Sequence, residues 1–221
     1  MLVRMWMSDE VITASPELPI MEARELMKEH NIRRLPVVDK RGRLIGIVTQ
    51  GDIQEASPSD ATTLSIWELN YLLARITVEE IMTRDVITIT PDTPVEEAAL
   101  LMRERKVGGL PVVEDGKLVG IITESDIFEV MIKVMGVRQG GTRLTLEIED
   151  RPGSLAEALS PIKKHGVNIL SVVTCEECPA SPGYGVVVVR LATTEYEPIV
   201  SELERAGVKV LDVRTCERAQ A

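Results

Sequence analysis

The sequence predicts a mixed fold, α/β and α+β, in two parts: tandem repeats forming a pseudo-two-fold pair, then a smaller βαββαβ domain. Three observations carry this. The stretch VITASPELPIMEARELMKEHNIRRLPVVDKRGRLIGIVTQGDI from Val11 returns from Val86 as VITITPDTPVEEAALLMRERKVGGLPVVEDGKLVGIITESDI. Pro16, Ala23, Met27 and Pro36 recur 75 positions later, whereas Gly46, Thr49 and Asp52 recur 74 later as Gly120, Thr123 and Asp126, so a turn has lost one residue. A repeated half-unit with one apolar face buries that face against its copy. From Arg143 the pattern changes, and LTLEIE, DRPGSLAEAL, NILSVVT, GVVVVRL, a helix around Tyr196 and VKVLDV follow in the order strand, helix, strand, strand, helix, strand.

Each repeat reads strand, helix, strand, turn, strand, helix. In the second copy Thr93, Pro94 and Glu96 spell a capping box with proline at the first helical position. Val95, Ala98, Ala99 and Met102 then mark one helical face, as Ile20, Ala23 and Met27 do in the first copy. LPVVD or LPVVE, a glycine turn, and LIGIVT or LVGIIT form a hairpin of β-branched runs. Thr-x-x-Asp opens the closing helix, with Thr49 and Asp52 in one copy and Thr123 and Asp126 in the other; capping accounts for these residues as well as ligand contact does.

The LPVV strand, the G-h-h-T-x-x-D turn, in which h is apolar, and the pairing of copies resemble the cystathionine-β-synthase (CBS) domain family, and the two copies together resemble a Bateman module. The resemblance implies two clefts between the copies that take adenine nucleotides or related adenosyl ligands. It assigns Thr49 and Asp52, or Thr123 and Asp126, to ribose and phosphate, because an Asp at a helix start can accept both ribose hydroxyls and neighbouring N–H groups suit phosphate. Arg33 and Arg34 before LPVV stand where the second copy has Gly108 and Gly109. The Asp52 cleft is therefore expected to hold Arg33 or Arg34 against phosphate and Val107 and Gly108 against the base, where glycine permits close approach. The Asp126 cleft, with Gly109 where the cation would stand, is expected to take a less charged ligand or none. Solvated surface charge is the alternative reading of the two arginines.

Between the copies, SPSD is loop chemistry, and Leu64, Trp67 and Leu72 suggest a helix on which Trp67 and Tyr71 pack. SIWELNYLLARITVEEIM is similar to the matching segment of bacterial acetoin-utilisation proteins of the B type, which also carry the C-terminal domain. That domain reads as an antiparallel sheet with Leu144, Leu146 and Ile148 inward, a helix carrying Leu155, Leu159 and Ile162 that Pro161 can bend, and GVVVVRL too apolar for an open edge. DRPGSLAEAL and the element order resemble an ACT domain, a ferredoxin-like regulatory module. By that resemblance Asp150, Pro152, Gly153, Ser154, Leu155 and Asn168 approach an amino acid or another small metabolite; turn and cap chemistry explain Gly153 and Asp150 equally well. The expected organisation is repeat 1 at 1–56, a linker helix at 57–77, repeat 2 at 78–136 and the ACT domain at 142–215.

Composition excludes several classes. With 221 residues, 44% hydrophobic, 27% charged and a net charge of −10, the chain reads as globular and lacks a basic stripe for nucleic acid. It has no run near the roughly 18 apolar residues of a membrane span, and a cytoplasmic location is expected. Three cysteines make no disulfide framework, and Cys175 and Cys178 in C-E-E-C lack the partners of a zinc site and the context of a redox motif. His30 and His165 fall in different domains, so no catalytic set forms around them. The function expected is ligand sensing without chemistry of its own, with no metal or cofactor. An AMP or ATP type nucleotide is the regulatory ligand, a homodimer the assembly, a metabolic enzyme the target, and acetoin or central carbon metabolism the setting. A dimerisation scaffold with empty clefts and a nucleotide hydrolase are the alternatives.

Overall fold

The computed structural model describes residues 1–57, 73, 75–175, 177–178 and 180–216, in two compact units, Met1–Ile127 and Phe128–Ala221. The linker residues Leu64, Trp67, Tyr71 and Leu72 lie outside the described residues. In the first unit, copy one supplies α1 (Ile20–Glu29), β1 (Arg34–Val38), β2 (Leu44–Thr49) and α2 (Gln50–Ala56). Copy two opens with a short helix, α3 (Val78–Ile81), followed by α4 (Val95–Arg105), β3 (Gly109–Glu114), β4 (Lys117–Thr123) and α5 (Glu124–Val134), whose last turns belong to the second unit.

Both hairpins are antiparallel, with a bulge after Val37 and after Val112. Asp115 and Gly116 join β3 to β4 with φ of 49° and 76°, the two successive positive angles of a two-residue turn that Asp-Gly favours. In copy one the loop is longer, and Asp39 Oδ1 accepts the N–H groups of Arg41 and Arg43. This difference is the step from 75 to 74 in the repeat. Ile20, Ala23 and Met27 of α1 bury against Leu35, Val37, Val48 and Ile53, and Val95, Ala98 and Met102 are the buried face of α4. Each of the Ile, Leu, Val and Met side chains among these, fully buried, contributes about 1.5–3 kcal/mol.

Two local expectations are corrected. The leading strand of each copy shrinks to a single parallel bridge, Ala14 to Val37 and Ile89 to Val112, because the chain touches the hairpin edge at one residue and leaves it. The capping box at Thr93 does not form. The Thr93 hydroxyl instead accepts the Thr90 N–H at 3.1 Å, and Pro94 stands at the cap of α4 rather than within it.

The repeat also extends before Val11, since Leu2–Ser8 matches Thr77–Thr83 at the same offset. These segments are exchanged between copies. Leu2 bridges Pro94 and Ser8 bridges Ile121, while Thr77 bridges Pro19 and Thr83 bridges Ile47. Met7 packs onto Gly120 and Met82 onto Gly46, where any Cβ would collide with the thioether.

The second unit contains β5 (Gly141–Glu149), α6 (Ser154–Lys164), β6 (Ile169–Cys175), β7 (Tyr184–Leu191), α7 (Glu197–Arg205) and β8 (Lys209–Cys216), the expected βαββαβ order. Its sheet is antiparallel with the order β6-β7-β5-β8. Leu144, Leu146, Val187, Val189 and Leu191 bury against Ile162 of α6 and Ile199 and Leu203 of α7. GVVVVRL is thus an interior strand paired on both sides, and its hydrophobicity answers burial rather than an edge in need of cover; β6 and β8 are the edges. Helix α6 runs through Pro161 to Lys164. Three cysteines make no framework, but Cys175 and Cys178 are joined in a single disulfide, since the bend after β6 brings their Cα atoms to 5.4 Å. Among the described residues no helix is long and apolar enough to cross a membrane, and no group of His, Cys, Asp and Glu could hold a metal ion.

Candidate functional site

The Asp52 cleft is built where the start of α2 meets the loop before β3. Thr49 ends β2 in extended geometry, and its hydroxyl accepts the Asp52 N–H at 3.3 Å. Asp52 Oδ2 in turn accepts the Thr49 N–H and hydroxyl, both at 2.7 Å. The capping reading therefore holds, yet it occupies one carboxylate oxygen; Oδ1 has no hydrogen-bond partner among the described residues. In copy two Asp126 Oδ2 accepts the Thr123 N–H at 2.7 Å and hydroxyl at 2.8 Å.

A cavity of about 560 Å³ brings Thr49 and Asp52 together with Arg33, Arg34, Val107 and Gly108. Residues that the sequence reading missed complete its wall: Thr83 from the exchanged segment, Asp85, Val86 and Ile87 just after it, and Lys106, which ends α4 with φ of 56°. A second cavity of about 370 Å³ holds Thr123 and Asp126 with the equivalent residues Ser8, Glu10, Val11, Ile12 and Asn31. Extending the repeat offset back to Leu2 is the signal that would have found Thr83 with Ser8 and Asp85 with Glu10; the others lie inside the repeat already described.

The second cavity corrects the expected lack of a cation there, because Arg33 and Arg34 line both cavities. The reason is the use made of the glycines. A Cβ on Gly108 would stand 2.7 Å from Arg34 Nη2 and 3.0 Å from Glu124 Oε2, and one on Gly109 would stand 2.6 Å from Arg34 Nη1. The guanidinium lies on the backbone that was expected to admit the base. Burial lowers the pKa of Arg34, Glu124 raises it and Arg33 lowers it further, so the charge is held between a carboxylate and a second cation.

In the C-terminal domain Gly153, with φ of 91°, caps α6, and the Ser154 hydroxyl donates to the Arg151 carbonyl at 3.0 Å. The Asp150 N–H donates to the Gly183 carbonyl, and Pro152 and Leu155 flank the turn. Arg151 is held by Glu157 and Glu149, which raise its pKa. Asn168 does not join this loop. β5 ends against Tyr184 and β6 begins against Leu191, so within one subunit Asn168 and the 150–155 loop lie at opposite ends of β7. The connection through α6, which runs antiparallel to β5, carries the chain back across the sheet.

The CBS domain family matches residues 3–59 and 78–133, and the TTHA0829-like ACT domain family matches residues 140–214. A CBS domain-containing protein of Dictyostelium discoideum is 37% identical over 135 residues, which are 61% of this chain and 93% of that protein. The L-aspartate semialdehyde sulfurtransferase of Methanocaldococcus jannaschii is 40% identical over 127 residues, 57% of this chain; the chain spans 22% of that enzyme's length. Among solved structures, the CBS domain pair of protein MJ0100, in complex with 5′-methylthioadenosine and S-adenosyl-L-methionine, is 39% identical with a TM-score of 0.50, covering 59% of this chain and 95% of that one. A Vibrio cholerae protein named for acetoin utilization is 31% identical with a TM-score of 0.53, covering 63% and 96%. CBSX2 in complex with AMP is 28% identical with a TM-score of 0.51, covering 60% and 97%.

Proposed function

Because this chain belongs to the CBS domain family and carries an ACT domain after its CBS pair, we propose that it is a ligand-sensing regulator whose Asp52 cleft binds an adenine nucleotide. The observation that carries this reading is the cavity that combines a half-committed carboxylate at a helix start, two arginines and an apolar wall of Val86, Ile87 and Val107. A ribose would use Asp52 Oδ1, phosphate would use Arg33 and Arg34, and the base would lie on the apolar wall. Ligands named for two structural neighbours, AMP and the adenosyl pair, support the class of signal.

In this reading the protein performs no chemistry, acts in the cytoplasm, and passes its bound state to a metabolic enzyme. Likeness to the Vibrio cholerae protein supports acetoin or central carbon metabolism as the setting. An amino acid or other small metabolite at the 150–155 loop is the second signal, with Asn168 supplied by a second copy. Calorimetric titration with AMP, ATP, S-adenosylmethionine and amino acids tests the proposal, with product analysis after incubation with ATP. Saturable AMP binding with ATP left intact is expected. Absence of binding by every adenine compound, or hydrolysis of ATP, overturns it.

A further inference from the structure

The two clefts share two arginines but differ in their other charges. Around the Asp52 cleft Arg33, Arg34 and Lys106 face Asp52 and Asp85. Around the Asp126 cleft the same two arginines face Glu10, Glu124 and Asp126. The repeat makes the source of this difference plain: Lys106 corresponds to Asn31, and Gln50, first residue of α2, corresponds to Glu124, first residue of α5. The Gln50 N–H donates to the Arg33 carbonyl at 2.9 Å and the Glu124 N–H to the Gly108 carbonyl at 3.2 Å, so the two side chains leave equivalent points on equivalent turns. One is neutral; the other is a carboxylate beside Arg34.

We infer that Arg34 serves one cleft at a time. A nucleoside phosphate in the Asp52 cleft and a cationic nucleoside in the Asp126 cleft then strengthen each other's binding, while two phosphate ligands oppose each other. The inference rests on the function proposed above. A phosphate that draws the guanidinium towards Asp52 leaves Glu124 without its countercharge, and the second cleft becomes more attractive to a cation. A phosphate in the second cleft meets Glu124, Glu10 and Asp126 and competes for an arginine already engaged. Coupling between binding sites is reciprocal, so each ligand must change the other's affinity by the same factor.

The test is calorimetry on the full chain with AMP and with S-adenosylmethionine, whose sulfonium supplies the positive charge, each titrated alone and against a saturating amount of the other. AMP is expected to bind at one equivalent, and each ligand to tighten the other by about five- to tenfold. Glu124→Gln, which copies the residue at position 50, is expected to erase this coupling and admit a second equivalent of AMP. Glu124 is exposed, so an unchanged melting temperature should accompany that result. Two equal AMP sites in the parent chain, failure of S-adenosylmethionine to bind, or coupling that survives in Glu124→Gln overturns the inference while leaving AMP sensing intact. If neither compound binds, the proposed function falls and this inference with it.

Discussion

Asp52 both holds the helix start through one carboxylate oxygen and lines the cavity, so a substitution there removes both functions unless it is chosen with care. Asp52→Asn keeps a cap acceptor and Asp52→Ala keeps none. Loss of a charged contact costs about 1.5–3 kcal/mol, and Asp52→Ala should weaken AMP at least tenfold in calorimetry. Asp126→Ala should do less, because the cleft it lines carries more negative charge. Equal losses for the two alanine variants would refute unequal clefts. Gly141 offers a test of the fold at the same scale: its φ is 84°, and a Cβ there would run into the Leu191 carbonyl. Gly141→Ala should destabilise the second unit by about 1–3 kcal/mol from backbone strain alone, read by denaturant unfolding. Thr49, Asp52, Thr123 and Asp126 were legible because a cap and a ligand contact need the same residues, written twice. The double membership of Arg34 was not, since a sequence gives the identity of a guanidinium and not which way a long side chain falls across two glycines.

Between elements, a buried carboxylate ties the β6–β7 connection to the sheet. Glu147 of β5 pairs across the ladder with Lys209 of β8, whose ammonium stands at 2.8 Å, and accepts the Ser181 N–H at 2.9 Å. Lys209 first, then Ser181, hold its pKa below the ordinary carboxylate value. A depressed pKa contributes stability that is fully present above the unfolded value and is lost as the pH falls through the folded one. Thermal unfolding should therefore find Glu147→Gln less stable than the parent at neutral pH, with the gap closing as the pH falls below the ordinary carboxylate range. A gap that persists in acid would show that shape, not charge, is what Glu147 supplies. Elements with strong periodicity were readable: α1, α4 and all four strands of the ACT sheet. The VITIT segments alternate like strands and are not, since pairing needs a neighbour along their length, and the exchange of Leu2–Ser8 with Thr77–Thr83 joins residues too distant in sequence for local pattern to reveal. The Cys175–Cys178 disulfide depends on a bend that composition does not encode.

For the whole molecule the prediction is a homodimer. Helix α5 leaves Phe128 65%, Met131 51% and Val134 46% exposed, and Val172 on edge β6 and Leu211 on edge β8 are also exposed. Apolar surface on a helix and on two sheet edges is the kind that association covers. Light scattering should give twice the chain mass of 24.4 kDa at micromolar concentration. Removing the residues after Gly141 should weaken the dimer and leave the CBS pair folded, because the core around α1, β1 and β2 takes no residue from β5–β8. A monomeric full-length chain would sink the proposal.

The exchanged segments also impose an order of events on synthesis. Residues 2–8 reach their partners only when Pro94 and Ile121 exist, whereas Thr77 and Thr83 find theirs, Pro19 and Ile47, already made. The first copy can therefore close as soon as residue 83 has left the ribosome. In the second copy the order is reversed: residues 2–8 are made before their partners and stay unpaired until Pro94 and Ile121 have followed. Residues 2–8 are thus among the last of the pair to settle, and they finish the half that is made after them.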